Sequence, residues 1–575
     1  MALEVHTRDA FPEDHADTLY ELGIAYQDSK QSLLAYTTFN SAIATVESLQ
    51  EEMVSGEESK RKHREKWNKL YSIMVEVCVD LDKITEALDY AEQSKNRYIV
   101  EEIISRELKS IFPANVVTQL KEYRDEIARG QNQIQDGKAK NPTALAKRLQ
   151  ALRQQHNELK NRYLPIASGF QFKHFQNKLD NHTAIVEFYI TRNKLVTFVF
   201  SRNQFWHSQL KDLGQLVDWA NGYLKAYSTK KYHYEKHLTT RLDSLAQILL
   251  IDHIIQQIPE KCDRLILIPH QYLHWLPLHA LPITSKQGEG NPKILIERFP
   301  AGVSYAPSCQ LLQLTETRKR PEEFTHLFAV QNSADNLHYT PIEVDVVKGY
   351  FNPPPDTEIL VENAATKAAI DSKPLNSYHC LHFSCHGYFN YQEPRKSALI
   401  LANAHKPTSA EANSERYLRI SDEEIFDLEK CLTIDDVFDL QLEQCRLVTL
   451  SACETGLIDY TNISDEYIGL PSGFLVAGSP AVVSSLWKVN DLSTALLMIK
   501  FYQNLREQIP LAVALNQAQL WLRDSTKEQL EEYIDNLPLA FYKKYEIKAN
   551  FCKFNHSDKP FEAPFHWAAF CAIGQ

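Results

Sequence analysis

Two short motifs place a histidine and a cysteine directly after segments with strong β-strand character. The motif YHCLHFSCHG carries His386 and Gly387, and the motif RLVTLSACETG carries Cys453. In an open parallel sheet, ligands bind beyond the carboxyl ends of the strands, so neighbouring strands would bring this imidazole and this thiol together. A thiol with an ordinary pKa of about 8.5 needs such a neighbour to become a good nucleophile at neutral pH. The pattern therefore predicts a Cys/His dyad.

The residues around this pair refine the prediction. Gly387 lets the backbone turn after the histidine, and its unshielded N–H, together with that of Cys453, would bind a tetrahedral oxyanion. Cys385 adjoins His386, so in a strand the two side chains point to opposite faces and do not form a dyad easily. The alternative for Cys453 is a small buried residue with no reactivity, and the spacing alone leaves that alternative open.

We expect neither a metal nor an organic cofactor. His382 and His386 share a strand face, but at about 3.3 Å per residue they lie roughly 13 Å apart, too far for one zinc ion. The sequence contains no CxxC pair, HExxH motif, Walker A motif or GxGxxG after a strand.

Composition narrows the classes of partner and location. The chain has 575 residues, with 62 basic and 74 acidic side chains and a net charge of -12. This acidic balance predicts no direct nucleic-acid binding and would attract cationic peptides. The ten cysteines stand singly, and no run of about 18 apolar residues occurs, so we expect a reducing cytoplasm and no membrane span.

Residues 1–107 have the pattern of helical repeats. Similar short stretches open at positions 2, 42 and 87. Two closely packed helices are indicated by small residues, Gly23 and Ala42, together with large ones, Leu22, Tyr26 and Phe39. The stretch resembles tetratricopeptide (TPR) repeats, and an ordinary helical bundle is the alternative. The chain begins where the second helix of a repeat would begin, which predicts a truncated array.

A long helical hairpin is predicted for residues 108–165, with helices near 114–138 and 142–163. Asn141 and Pro142 are typical of a helix start, as cap and first-turn proline. Leucines then recur at the spacing of an antiparallel hairpin, at positions 145, 149, 152 and 159. This segment is predicted to be a spacer.

After Tyr163 the pattern changes to β-type segments that alternate with helices. Several of these segments are apolar on both faces, as parallel strands covered by helices are. The predicted fold class is therefore α/β, with an open, mainly parallel sheet. The polar stretch 403–417 is predicted to be an exposed loop.

The chain resembles the CHAT family in four separated stretches: HFSCHG, LTIDDVFDLQLEQCRLVTLSACETG, GLPSGFLVAGSPAVVSSLWKVND and APFHWAAFCAIG. Two earlier segments agree, LILIPHQYLHWLPLHAL and VSYAPSCQLLQL, so the resemblance extends from near residue 170 to the end. CHAT domains are similar to caspases and separases, the cysteine peptidases of clan CD. The TPR-like arm ahead of the domain also resembles the TPR–CHAT arrangement.

The resemblance implies a caspase-like domain over residues 166–575, with an N-terminal pseudo-protease half over 166–350 and a catalytic half over 351–575. It implies His386 as general acid/base, Cys453 as nucleophile, and Gly387 near the oxyanion.

Asp491, in the segment WKVND, resembles the acidic residue that lines the S1 pocket of separases. In that role it would select a basic P1 side chain through a charge-assisted bond. The alternative is a helix N-cap ahead of LSTALLMIKFY.

Two functions follow from these motifs. One is an endopeptidase that cuts protein partners and is recruited or regulated by a protein bound to the arm. The other is a binding scaffold without catalysis. TPR–CHAT relatives include bacterial immune and CRISPR-associated components, which implies control of the protease by a partner.

Overall fold

A computed structural model describes most of the chain. The described residues are 8, 11–52, 57–95, 99–104, 106, 112–163, 170–229, 231–284, 293–316, 318, 320–321, 324–331, 337–351, 357–390, 393–406, 416–419, 424–458 and 467–574. The repeat start predicted at position 2 and most of the polar loop predicted at 403–417 lie outside them. In this part of the chain, no helix combines the length and the apolar character needed to cross a bilayer.

In the described part of the N-terminal arm, the bounded helices are α1 Pro12–Asp28, α2 Ser32–Glu52, α3 Glu57–Asp80 and α4 Ile84–Ser94, and residues 99–104 are also helical. The first two form a tight antiparallel pair. A Cβ atom added at Gly23 would lie 2.3 Å from the Phe39 ring, so only glycine permits this packing. The small-with-large pairing predicted from the sequence therefore sets the distance between these two helices.

A second hairpin follows, formed by α5 Ala114–Gln135 and α6 Pro142–Tyr163. The Asn141 side chain accepts a hydrogen bond from the Ala144 N–H at 3.0 Å, which caps α6 as the sequence predicts. Gly130 packs against Leu149 at the contact between the two helices.

The rest of the chain is an α/β structure whose strands share one long sheet and three small ones. The strands are β1 Thr183–Ile190, β2 Leu195–Ser201, β3 Gln204–Leu210, β4 Arg264–Ile268, β5 Pro282–Ile283, β6 Lys293–Ile294, β7 Val303–Tyr305, β8 Leu327–Gln331, β9 Thr357–Val361, β10 Cys380–Ser384, β11 His386–Tyr388, β12 Ala398–Ile400, β13 His405–Lys406, β14 Tyr417–Arg419, β15 Ile425–Asp427, β16 Leu432–Thr433, β17 Leu447–Leu450, β18 Ala481–Ser485 and β19 Phe570–Gly574.

Helices cover the sheet and connect its strands. They are α7 Phe172–Lys178, α8 Gly214–Thr229, α9 Lys231–Ile248, α10 Ile251–Gln256, α11 Leu295–Arg298, α12 Cys309–Glu316, α13 Thr340–Gly349, α14 Lys367–Asp371, α15 Ile434–Asp439, α16 Leu470–Ala477, α17 Asp491–Arg506, α18 Leu511–Asp524, α19 Lys527–Asn536, α20 Phe541–Ala549 and α21 Pro564–Trp567.

Within the described ranges, the long sheet has 11 strands in the order β3-β2-β1-β4-β7-β19-β18-β17-β10-β8-β9. It contains two parallel blocks. An upstream block runs through β1, β4, β7 and β19, and a downstream block runs through β18, β17, β10, β8 and β9. Strands β18 and β19 pair antiparallel, so the strands of the two blocks point in opposite directions and their carboxyl ends lie on opposite sides of the sheet. We call the side where the upstream strands end the upstream edge and the side where the downstream strands end the downstream edge. The predicted open, mainly parallel sheet is confirmed.

The arm is not separated from this sheet by a spacer. Its buried residues, such as Phe39, Trp67 and Leu88, belong to one hydrophobic core with Tyr189 of β1 and Phe198 of the neighbouring β2. The arm therefore buries sheet surface, and removing it would expose that surface to water.

Candidate active site

The predicted His and Cys motifs follow adjacent strands. β10 and β17 pair parallel, with Cys380 opposite Leu447 and Phe383 opposite Leu450. Both strands are buried along their whole length, as their apolar sequences predict. Because parallel neighbours end at the same edge, the segments that carry His386 and Cys453 leave the sheet side by side.

Gly387 lies at a close approach between these two segments. A Cβ atom added there would lie 2.6 Å from the Cys453 carbonyl oxygen and 2.7 Å from the Thr455 methyl group. Any larger residue would push the histidine segment away from the cysteine turn. The glycine that the sequence marks as an oxyanion residue is therefore also what allows the two motifs to touch.

His386 does not extend β10 but opens a new strand, β11, which pairs antiparallel with β12 in a separate small sheet. Its side chain is half-buried. Burial lowers the pKa of this imidazole below its ordinary value of 6.5, and the nearby carboxylates of Glu424 and Asp491 partly offset that effect. The ring is therefore mostly neutral at pH 7, the form that accepts a proton.

Cys453 lies on a turn that is fixed to the end of β18. The Gly456 N–H donates to the Ser485 carbonyl at 2.7 Å, and the Ser485 N–H donates to the Thr455 hydroxyl at 3.2 Å. Eight of the ten cysteines are buried, Cys453 is partly exposed and Cys552 is exposed. Cys453 is thus a thiol that solvent reaches within a turn held by hydrogen bonds.

Glu454, which the sequence analysis did not select, is buried directly after this cysteine. Its backbone has φ of +58°, a left-handed conformation that non-glycine residues rarely adopt. Burial raises the pKa of its carboxyl group, while hydrogen bonds from the Tyr227 hydroxyl and the Phe389 N–H and the charge of Lys488 lower it. The ACETG motif contains this residue, but nothing in the sequence shows that its side chain turns inward.

Asp491 lies close enough to His386 to act on its pKa. The helix N-cap is not Asp491 but Asn490, whose side chain accepts from the Ser493 N–H at 3.1 Å. Asp491 is the first residue of α17, and its Oδ2 accepts the backbone N–H groups of His338 and Tyr339 at 2.8 and 2.9 Å. The alternative predicted from the sequence, an N-cap, is therefore wrong by one residue.

A polar network lies beneath the histidine segment. His382, on β10, places Nε2 2.9 Å from a Glu343 carboxylate oxygen on α13, and its Nδ1 lies 3.2 Å from the Tyr502 hydroxyl. The 2.9 Å contact between Nε2 and the carboxylate oxygen does not have the angles of a hydrogen bond. The Tyr502 hydroxyl donates to Thr449 on β17 at 2.8 Å. This network joins the two strands that end at the candidate site, and the sequence separation of its members hid it from sequence analysis.

Among the described residues, one group of side chains could hold a metal ion, and it lies away from this site. Glu92, Glu187 and Cys309 are buried within 4.8 Å of one another. A lysine already supplies the positive charge there, because Lys95 Nζ lies 2.7 Å from a Glu187 oxygen. Glu92 accepts the N–H groups of Cys309 and Gln310 at the start of α12. The cluster fastens the arm to the sheet.

Comparison with known proteins identifies a family and a relative of this chain. The profile of the CHAT domain family matches residues 239–575. The chain is also similar to Tetratricopeptide repeat protein 28 of Homo sapiens, with 25% identity over 330 residues, which are 52% of this chain and 11% of that protein. The chain thus spans about a tenth of the length of that relative.

Two solved structures are similar to the chain at low identity. One is the Saccharomyces cerevisiae separase–securin complex, with a TM-score of 0.41 and 9% identity, covering 90% of this chain and 48% of that one. The other is the complex of the pro- and mature domains of Porphyromonas gingivalis RgpB, with a TM-score of 0.28 and 11% identity, covering 54% of this chain and 64% of that one.

The family match includes both motifs, the segment of Asp491 and the C-terminal strand β19, and it covers more than half of the sequence. The chain belongs to the CHAT domain family.

Proposed function

We propose that this protein is a cysteine endopeptidase that cleaves protein partners, with Cys453 as nucleophile and His386 as general acid/base. The observation that carries the proposal is the contact of Gly387 with the Cys453 turn, which holds the two motifs together at one edge of the sheet. Family membership supports the same reading, because CHAT domains resemble caspases and separases.

The proposed reaction uses groups of this chain alone. The neutral His386 imidazole takes the thiol proton of Cys453, and the thiolate attacks the scissile carbonyl carbon. The resulting oxyanion is bound by the N–H groups of Gly387 and Cys453. His386 then protonates the leaving amine, and water hydrolyses the thioester with the same histidine as base. No metal or cofactor enters these steps.

Asp491 is proposed to select a basic P1 side chain. One of its oxygens holds two backbone N–H groups, which fixes the carboxylate in place. Among the described residues the second oxygen accepts no hydrogen bond, so it is the one that would face a substrate guanidinium or ammonium group. The pair would be partly desolvated, because Asp491 is neither buried nor fully exposed.

The arm is proposed to bind the protein substrate or a regulatory protein. Its helix α2 begins with two exposed leucines, Leu33 at 64% and Leu34 at 45% exposure. Because the core of the arm continues into the sheet, deletion of residues 1–107 would damage the domain as well as the binding surface. Leu33→Ser with Leu34→Ser removes the exposed apolar surface and leaves that core intact.

A peptidyl probe with a thiol-directed warhead tests the proposal. The wild-type protein should be labelled at Cys453, and Cys453→Ala should abolish the labelling. Cys552→Ser is the matched control, because Cys552 is the exposed cysteine outside the site and its loss should change nothing. Equal labelling of Cys453 by the probe in wild type and in His386→Ala would contradict a dyad.

A non-catalytic scaffold is the alternative function, and one observation favours it. Helix α20 exposes three aromatic side chains, Phe541, Tyr542 and Tyr545, the residue types that dominate protein interfaces. A scaffold would keep its partners after Cys453→Ala and would release no cleavage product in wild type. Mass spectrometry of partners incubated with each protein separates the two functions.

A further inference from the structure

The residue after the proposed nucleophile has two features that an ordinary loop does not need. Glu454 adopts φ of +58°, where a Cβ atom is sterically unfavourable. The residue is also only 4% exposed, so its carboxyl group is withdrawn from water. A strained backbone and a buried acid persist only where surrounding contacts stabilise them, and such positions cluster at functional sites.

Those contacts come from three segments of the chain. The Tyr227 hydroxyl, on helix α8, donates to a Glu454 carboxylate oxygen. The Phe389 N–H, just after β11, donates to the same carboxylate. The Glu454 N–H donates to the Trp487 carbonyl beyond β18 at 3.4 Å. One residue therefore ties together elements that are distant in sequence.

The geometry of these bonds connects the two members of the dyad. Glu454 is adjacent to Cys453, and Phe389 lies three positions after His386 on the segment that Gly387 brings against the cysteine turn. The carboxylate is thus a second bridge between the nucleophile turn and the histidine segment. The Tyr227 hydroxyl, from helix α8, donates a hydrogen bond to this carboxylate, and its oxygen also accepts the Lys488 N–H at 3.2 Å.

We propose that Glu454 is a positioning residue that sets the alignment of Cys453 with His386. The Tyr227 hydroxyl fixes the Glu454 carboxylate by a hydrogen bond. The proposal rests on the proposed peptidase function. It gives helix α8, which lies outside the strands of the site, a means of regulating the dyad. A displacement of α8 would remove the Tyr227 hydroxyl and free Glu454 to leave its strained conformation.

The test uses single substitutions matched to this geometry, in the Cys552→Ser background. Glu454→Gly removes the carboxylate without backbone cost, because glycine adopts positive φ freely. Glu454→Gln removes the charge and keeps one acceptor oxygen for the Tyr227 hydroxyl. Tyr227→Phe removes only the hydroxyl. Tyr272→Phe is the control, because the hydroxyl of Tyr272 makes no hydrogen bond with the described residues.

The readout is the rate of Cys453 alkylation by iodoacetamide across pH, followed by peptide mass spectrometry. A thiol coupled to an imidazole reacts well below the ordinary thiol pKa of about 8.5, so wild type should show a low-pH component that His386→Ala abolishes. Glu454→Gly should reduce that component by about 30-fold and Tyr227→Phe by about 5-fold, while Glu454→Gln stays within about threefold. Melting temperatures should change little.

Each outcome decides the question. A low-pH component that survives in Glu454→Gly overturns the positioning role and leaves the proposed function intact. A wild type without that component overturns the proposed function, and the positioning role with it. A Gln variant as poor as the Gly variant, with lowered melting temperatures and equal losses at all pH values, assigns Glu454 to the fold alone and also overturns the inference.

Discussion

In each of the two parallel blocks of the sheet, a histidine follows the end of a strand, and the two histidines differ in burial and in hydrogen bonding. His270 follows β4 in the upstream block, and His386 follows β10 in the downstream block. His270 is 3% exposed, its Nδ1 accepts the Ile190 N–H at 2.8 Å, and its ring stacks on Tyr189. His386 is half-buried, and its segment contacts the turn that carries Cys453. The strand end alone therefore does not make a catalytic histidine.

What covers each edge explains the difference. At the upstream edge, Ser94 of the arm hydrogen-bonds the Tyr189 hydroxyl at 2.8 Å, and Lys95 forms a buried ion pair with Glu187. The arm thus occupies the place where a parallel block would otherwise bind a ligand. At the downstream edge, a small sheet and the Cys453 turn frame the histidine instead. One block positions a candidate reactive site, and the other anchors the arm.

Substitution of each of the two histidines in turn should produce the largest contrast. His386→Ala should reduce the rate of reaction with a peptidyl probe by about 10³-fold, because general acid/base catalysis contributes about 10²–10⁴-fold. His270→Asn keeps an acceptor for the Ile190 N–H, so the rate should stay near wild type while the stacking on Tyr189 is lost. Stopped-flow labelling and thermal melts measure both effects. Equal rate losses in the two variants would erase the contrast between the edges.

Breaking the buried ion pair should destabilise the upstream edge strongly. Lys95→Met leaves Glu187 and Glu92 without their cation, and removal of one partner of a buried pair costs about 3–5 kcal/mol. Denaturant titration measures the free energy of unfolding. Lys66→Met is the matched control, because the pair of Lys66 with Glu13 is exposed and worth about 0–1 kcal/mol. Lys95→Met combined with Glu187→Gln should recover part of the loss; no difference between Lys95→Met and Lys66→Met would argue against a buried anchor.

Asp491 sharpens the comparison at the downstream edge. Asp491→Asn keeps an acceptor for the N–H groups of His338 and Tyr339 and removes the charge. Reaction with an Arg-P1 probe should fall by at least about tenfold, since a charge-assisted bond is worth roughly 1.5–3 kcal/mol, while a neutral-P1 probe should change little. Equal losses for both probes with a lower melting temperature would assign Asp491 to the fold. No change with either would mean that the P1 preference is set elsewhere.

The pH dependence should show the smallest effect. Burial lowers the pKa of His386, and the imidazole is a base only when neutral, so the rate should hold as pH falls from 7.5 and drop only below about 6.5. Asp491 raises the pKa of His386, so Asp491→Asn should move this acid limb to slightly lower pH. Rate–pH profiles of the neutral-P1 probe measure the shift. A limb that moves to higher pH would contradict the electrostatic contact between the two residues.

Several features followed from local sequence alone. Strand β1 is buried along its whole length, as a run of residues that is apolar on both faces predicts. Gly23 predicted the close helix pair of the arm, and Asn141 predicted the start of α6. The adjacency of β10 and β17, which would bring the two motifs together, was only a condition in the sequence argument, and the structure supplies it.

Other features depend on partners that are far apart in the chain. Glu343 meets His382, and Tyr227 meets Glu454, across separations that no periodicity records. The shift of the N-cap from Asp491 to Asn490 was decided by the loop at His338, whose backbone N–H groups attract the aspartate carboxylate. Such contacts arise when elements pack, and a single sequence carries no signal for them.

The sequence by itself determined the α/β class, the helical arm and the residue types at the candidate site, because burial patterns and motifs are local properties. The tertiary structure alone decided that β18 and β19 run antiparallel, which sends the two carboxyl edges apart. It also decided that the arm shares its core with one edge and leaves the other to His386 and Cys453. Strand direction and helix docking are set by which apolar faces meet, and the chain order does not record that choice.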